Sequence, residues 1–97
     1  MNYNELEEKN KAIEAARIEA VKILNDIDFI IEKIKTKEYD LILAREEFAW
    51  RVEDLEKYYF KSEYSEVHEI YQEVLDKAKA ALKRAEEKIQ EEGLDKL

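Results

Sequence analysis

The chain contains no proline and a single glycine, Gly93, in 97 residues. Proline and glycine form the tight turns that connect β-strands, so a β-sheet fold is disfavoured. Phosphate-binding loops need several glycines, so a nucleotide-binding site of that kind is disfavoured as well. Charged residues make up 43% of the chain, well above the ~25% of an average globular domain, and cysteine is absent. The sequence therefore predicts one all-α domain over residues 1–97, without disulfides, thiolate nucleophiles or zinc–thiolate sites.

The strongest pattern is an apolar repeat with spacings of three and four residues in the first third of the chain. Its members are Ile13, Ala16, Ala20, Ile23, Ile27, Ile30 and Ile34. Such spacing is typical of a helix that packs against other helices. The face widens in its second half, as expected of a helix with two neighbours, through Val21, Leu24, Phe29 and Ile31. A capping box from Asn2 to Glu5 and a hydrophobic staple from Met1 to Leu6 predict its start.

Two further apolar repeats predict two further helices. The second comprises Leu41, Ala44, Phe48, Val52, Leu55 and Tyr59. The third comprises Phe60, Tyr64, Val67, Tyr71, Val74, Ala78, Ala81 and Ala85. The third repeat is out of phase with the second by one residue, which predicts a turn near residues 60–63 with Ser62 as helix N-cap. Thr36 is the N-cap expected at the first turn, near residues 35–38. Gly93, with Leu94 packed on Ile89, predicts a Schellman motif after about Glu92.

These boundaries predict helices at about 3–35, 38–60 and 63–92, packed up-down-up in an antiparallel three-helix bundle. In that register, large side chains of the first helix face small ones of the third, as dense packing requires. The large set is Ile27, Ile30, Ile31 and Ile34, and the small set is Ala78, Ala81 and Ala85. The alternative is a long helical hairpin that dimerises, because the first two repeats stay in heptad phase and could form one helix of ~80 Å.

The charge balance narrows the classes of partner. The formal net charge is -8, so direct nucleic-acid binding through a basic face is disfavoured. No apolar run approaches the ~18 residues that a membrane span needs, and the N-terminus is acidic where a signal peptide is basic. We therefore expect a cytoplasmic protein with no membrane contact, whose partner is a protein with a basic surface. A monomer is favoured, and a homodimer is the alternative.

Little in the chain suggests catalysis or a cofactor. His68 is the only histidine, and it lacks the carboxylate three residues earlier that di-iron bundles use. Glu46 and Glu47 with Glu73 and Asp76 approach the acidic pattern of all-α pyrophosphohydrolases, but Trp50 occupies the third acidic position. No catalytic, cofactor or metal residue is predicted. A carboxylate-based metal-binding or hydrolase bundle remains a second alternative.

The third predicted helix is charged unevenly. Residues 62–76 include five acids and no lysine or arginine, whereas residues 77–88 include five bases and two acids. Four of these acids form what we call the acid stripe: Glu66, Glu69, Glu73 and Asp76. Their spacings of three and four residues place them on one side of the helix. Such a gradient also complements the helix dipole, which is the simpler explanation.

The only tryptophan, Trp50, falls outside the apolar repeat of the second helix. Its helical neighbours are all acidic: Glu46, Glu47, Glu53 and Asp54. An exposed tryptophan ringed by acids is typical of a binding hot spot, whereas an indole tucked under a neighbouring helix would be structural. If the second and third helices are antiparallel, Trp50 lies level with Gln72 and Glu73, and one acidic, aromatic surface results.

The sequence therefore favours a non-enzymatic protein-binding module, or a small acidic inhibitor or adaptor that acts through this surface. In a more specific form of this hypothesis, the acidic side chains imitate phosphate charge and occupy the nucleic-acid-binding site of the partner. The first alternative is a designed or idealised bundle with no natural ligand, consistent with the regular Lys/Glu surface. Four tyrosines could also form a ligand pocket against the alanines of the first helix: Tyr58, Tyr59, Tyr64 and Tyr71.

Overall fold

A computed structural model describes residues 3–59 and 61–93, with the backbone alone at 58 and 59. It consists of three α-helices, with no strand among those residues: α1 (Tyr3–Lys35), α2 (Leu41–Asp54) and α3 (Ser65–Glu92). One π-helical turn, Leu55–Tyr59, continues α2. The predicted three-helix bundle is confirmed. The single long helix of the alternative hairpin is not formed, because α1 ends before the turn at residues 36–40.

Ion pairs between helices give the directions of packing. Lys9 pairs with Glu66, and Asp28 pairs with Lys77 at 2.6 Å, so residue numbers rise together along α1 and α3. These two helices are therefore parallel, and α2 runs antiparallel to both. The helix α3 packs along both of the others, whereas α1 and α2 touch each other less. The bundle is accordingly elongated and flat, with principal extents of 59 × 22 × 14 Å.

The buried core follows the three predicted repeats closely. Its residues are Ala16, Ala20, Ile27, Ile30, Leu41, Ala44, Phe48, Leu55, Val67, Tyr71, Val74, Leu75, Ala78, Ala85 and Ile89. Two predicted members are exposed instead, since Val21 is 55% exposed and Phe29 is 53% exposed. Other predicted members are partly buried and pack against the core: Ile13, Ile23, Leu24, Ile31, Ile34, Val52, Tyr64 and Ala81. Phe29 lies two residues after Ile27, which corresponds to ~200° around the helix and points it to solvent. The predicted widening of the α1 face through these two residues is therefore wrong.

The last turn of α1 is closed by backbone bonds and a left-handed residue. Lys37 has φ 62°, and the N–H of Glu38 donates to the carbonyl of Lys33 at 2.9 Å. The Lys33 ammonium also pairs with the Glu38 carboxylate at 2.5 Å, which lowers the pKa of Glu38. Thr36 was predicted to cap the start of α2, but its hydroxyl donates back to the Lys33 carbonyl at 3.3 Å. It belongs to the end of α1.

The start of α2 lies at Leu41, three residues later than the sequence predicted. Asp40 is the N-cap, in extended conformation at φ -78° and ψ 160°. Its Oδ1 accepts a hydrogen bond from the Leu43 N–H at 2.7 Å. A carboxylate at this position satisfies a helix N–H that would otherwise lack a partner, and it also complements the helix dipole. Asp40 therefore replaces Thr36 as the capping residue.

The second turn also begins and ends differently from the prediction. The π-helical turn Leu55–Tyr59 lies where the apolar repeat changes phase, and a π turn holds more residues than an α turn. Then α3 starts at Ser65, two residues late, with Tyr64 as N-cap and no side-chain capping bond. Ser62 is not the cap; its Oγ accepts from the Tyr64 N–H at 3.1 Å and shapes the turn instead.

The end of α3 agrees with the prediction. Gly93 is left-handed at φ 69°, and its N–H donates to the Gln90 carbonyl at 3.1 Å. Glycine has no Cβ to clash in this conformation, so the helix stops here. Several predicted features lie outside the described residues: the capping box at Asn2, the staple at Met1, the core position of Phe60 and the contact of Leu94.

Candidate partner-binding surface

Trp50 stands in an open groove between α1 and α2, and it is 61% exposed. The groove has a volume of about 170 Å³. We call it the Trp50 groove; its other lining residues are Glu19, Ile23, Asp26, Arg51, Asp54 and Leu55. Of the two sequence interpretations of Trp50, the exposed one is confirmed. The indole therefore presents a large apolar surface beside carboxylates.

Arg51 forms the base of the Trp50 groove and joins the two helices. Its Nε donates to Asp26 Oδ2 at 2.6 Å, and its Nη1 donates to Glu47 Oε2 at 2.8 Å and to the Glu47 carbonyl at 2.9 Å. The guanidinium also lies 5.5 Å from the centre of the Trp50 ring. Burial lowers the pKa of Arg51, but the hydrogen bonds to Glu47 and Asp26 outweigh it and raise the pKa overall.

Sequence reasoning missed the role of Arg51. The spacing of Glu47 and Arg51 indicates a pair on one helix, and that much was readable from the chain. Asp26, however, lies on another helix, 25 positions from Arg51 in the sequence. Charge pattern alone does not say which faces of α1 and α2 meet, so this link emerges only from the packing.

The four acids predicted to ring Trp50 separate into different places. Asp54 lines the Trp50 groove, and Glu47 is bound by Arg51 at its base. Glu46 lies instead in the groove between α2 and α3, and Glu53 is exposed on the outer face of α2. The other acids that line the Trp50 groove come from α1 and are Glu19 and Asp26.

The acid stripe lies in a second groove, between α1 and α3. Glu66, Glu69 and Glu73 line it together with Ile13, Arg17 and Ile70. The hydrogen bond to Lys9, then bonds to its own backbone N–H and to Ser65, lower the pKa of Glu66. Asp76, further along, accepts from the Gln72 amide at 2.8 Å. Trp50 and the acid stripe thus lie in two grooves that share only α1, and the structure does not bring them together as one surface.

The remaining candidate side chains have structural partners. The half-buried His68 ring donates through Nε2 to the carbonyl of Ser62. Within residues 3–59 and 61–93, no three His, Asp or Glu side chains are grouped as a metal ion would require. Tyr71 is buried and Tyr64 is half-buried, while the side chains of Tyr58 and Tyr59 are outside the described part. The predicted tyrosine pocket is therefore untested.

Comparison with known proteins adds no relative. No family model, curated protein or solved structure matches this chain. In the described part of the chain, none of the helices combines the length and the apolar character needed to cross a membrane. Function is accordingly inferred from the geometry and charge of the grooves.

Proposed function

We propose that this chain is a non-enzymatic protein-binding module whose Trp50 groove receives a basic, apolar segment of a partner protein. The observation that supports it is the 61% exposed indole standing between acids from two helices. Tryptophan buries a large area when covered and is enriched among residues that dominate binding energy. The indole also contacts the guanidinium of Arg51, which is itself paired with Asp26 and Glu47, and such a contact reduces the freedom that the side chain loses on binding.

The charges around the indole define the partner. Glu19, Asp26 and Asp54 line the groove, and Arg51 is the one base among its lining residues. Because Arg51 is already bonded to Asp26 and Glu47, it offers little to an acidic ligand. The chain as a whole carries -8, which attracts a basic protein over several ångströms before contact. The proposal also places the chain in the cytoplasm as a monomer.

The acid stripe supports a more specific form of this proposal, in which the chain inhibits its partner by occupying a phosphate-binding site. Glu66, Glu69 and Glu73 line one groove and so present a row of charges. A basic partner that normally holds phosphates could contact this row while its apolar segment covers Trp50. Such binding would weaken strongly at raised salt, because the contacts are exposed and screened.

The test uses a defined basic amphipathic helix of lysine and leucine, labelled for fluorescence anisotropy. We expect the protein to bind it with a salt-dependent affinity, and Trp50→Ala to weaken binding about tenfold, as loss of a hot spot does. Val21→Ala is the control, because Val21 is also an exposed apolar residue but lies outside the groove. Equal affinity of Trp50→Ala and the native protein would contradict the proposal. Weakening by both variants alike would show that general surface hydrophobicity is responsible.

A further inference from the structure

An apolar cavity lies where the C-terminal end of α1 meets the first half of α2 and the second half of α3, away from the Trp50 groove. It has a volume of about 160 Å³, and its apolar wall consists of Ile31, Ile34, Leu41, Phe48, Ala81 and Ala85. The sequence paired the large isoleucines of α1 with the small alanines of α3, and these residues are indeed adjacent. The alanines are too small to fill the space, so packing leaves a cavity where dense contact was expected.

Three cations line this apolar cavity in an otherwise acidic protein. They are Lys35, Arg84 and Lys88, all exposed, and no acid is among the lining residues. Lys35 has a carboxylate nearby only at 3.9 Å, on the exposed Glu32. Neither Arg84 nor Lys88 forms an ion pair with any residue of the described part. Their positive charge is therefore available to an anion at the mouth of the cavity.

The size of the cavity defines the apolar part of a ligand. An apolar cavity of ~150 Å³ lined by Leu, Ile and Phe holds one benzene molecule rather than water. The cavity here is of similar volume and has an apolar wall, but it is open to solvent at its cationic rim, so the wall can hold a six-membered ring or the end of a short alkyl chain. The cations provide charge-assisted hydrogen bonds for a carboxylate at the other end of such a molecule.

We propose that this cavity, rimmed by Lys35, Arg84 and Lys88, binds a small amphiphilic carboxylate, such as a medium-chain fatty acid. The apolar body enters between the isoleucines and alanines, and the carboxylate stays at the mouth among the cations. This site shares no lining residue with the Trp50 groove, so it is independent of the proposed partner binding.

The test compares three probes of equal chain length: octanoate, 1-octanol and octylamine. Binding is followed by the methyl NMR signals of Ile31 and Ile34, which line the cavity. From these shifts we expect octanoate to bind with the highest affinity and octanol with an affinity about tenfold lower. Octylamine should not shift the signals. The net charge of -8 would favour the amine if binding were only electrostatic, so a preference for the carboxylate requires the local cations. Binding of octylamine as tight as that of octanoate would overturn the proposal.

Matched variants separate the two parts of the site. Arg84→Gln with Lys88→Gln should weaken octanoate binding about tenfold. Lys79→Gln with Lys83→Gln removes the same charge from α3 outside the cavity and should leave the affinity unchanged. Equal weakening by both pairs would overturn the role of the rim.

The apolar part is tested by filling it. Ala81→Leu should abolish octanoate binding and raise the melting temperature, whereas Ala80→Leu, exposed on the same helix, should do neither. Retained binding in Ala81→Leu would overturn the proposed site. Trp50 emission should stay constant during the titration, which distinguishes this site from the partner-binding groove.

Discussion

Two regions along α1 show how one apolar helix contributes to two sites of different charge. Near the middle of α1, the neighbouring helix α2 contributes Trp50 and Arg51, and the groove is acidic with an indole at its edge. At the C-terminal end of α1, Phe48 of α2 and Ala81 of α3 meet it, and the result is an apolar cavity rimmed by bases. The isoleucine repeat of α1 lines both sites. The difference between them therefore lies in the size and charge of the residues that the other helices contribute.

The largest effect should come from the aromatic residue of α2 that faces inward. Phe48 is 1% exposed and forms part of the cavity wall, so Phe48→Ala should lower the free energy of unfolding by about 3–5 kcal/mol. Trp50→Ala, two positions further on, should change it by less than about 1 kcal/mol, because the indole is exposed. Urea unfolding measures both. Similar losses for the two variants would remove the distinction between the buried cavity wall and the exposed groove.

The next largest effect should come from Arg51, which joins α1 and α2 at the base of the Trp50 groove. Arg51→Met removes the bonds to Asp26 and Glu47 and should lower stability by about 1–2 kcal/mol. The basic helical peptide should also bind less well, because α1 and α2 are no longer held together at the groove. Octanoate binding should not change. Arg45→Met, on the same helix but outside the Trp50 groove, is the control and should have the smaller effect on peptide binding.

A smaller, favourable effect is expected at the turn after α1. Lys37 is left-handed at φ 62°, a conformation that is unfavourable for a residue with a Cβ. Lys37→Gly should therefore raise the free energy of unfolding by about 0.5–1 kcal/mol. Gly93→Ala, at φ 69°, should lower it by a similar amount, although a Cβ there would meet no atom within 4 Å. A loss of stability in Lys37→Gly would mean that the helix does not end in this conformation.

The smallest effect on stability concerns Tyr71 and should be measurable only at alkaline pH. Burial, and then the nearby Glu19, raise the pKa of Tyr71 above its ordinary value. The folded state therefore resists tyrosinate formation, so this part of the stability is complete below the unfolded pKa of ~10 and disappears as pH rises through the folded pKa. Tyr71→Phe should reduce the decline of stability above pH ~10. An unchanged decline in the variant would assign it to other groups.

The helical repeats could be predicted because burial imposes a period on the sequence. Ile27, Ala44 and Val74 are buried where their spacing placed them. Gly93 was predictable for a similarly local reason, since left-handed helix ends favour glycine. The caps were harder, because Thr36 and Asp40 are both suitable N-caps and only the packing of the turn selects between them.

The surfaces could be predicted only in part. Helical spacing placed Trp50 outside the buried face, but it did not show which helix lies beside it. A surface shared with the acid stripe was therefore predicted, whereas the two lie in different grooves. The bond from Arg51 to Asp26 joins two helices and has no local signal. The cavity depends on how closely the three helices approach one another, which side-chain volumes suggest but do not determine.

The most direct test is a pair of NMR titrations of the isotopically labelled protein, first with the basic helical peptide and then with octanoate. We expect two separate sets of shifted signals. The peptide should affect Trp50, Ile23 and Asp54, while octanoate should affect Ile31, Ile34 and Ala85. If both ligands shifted the same residues, or if the peptide shifted only residues outside the Trp50 groove, the assignment of two separate binding sites to the Trp50 groove and the apolar cavity would be contradicted.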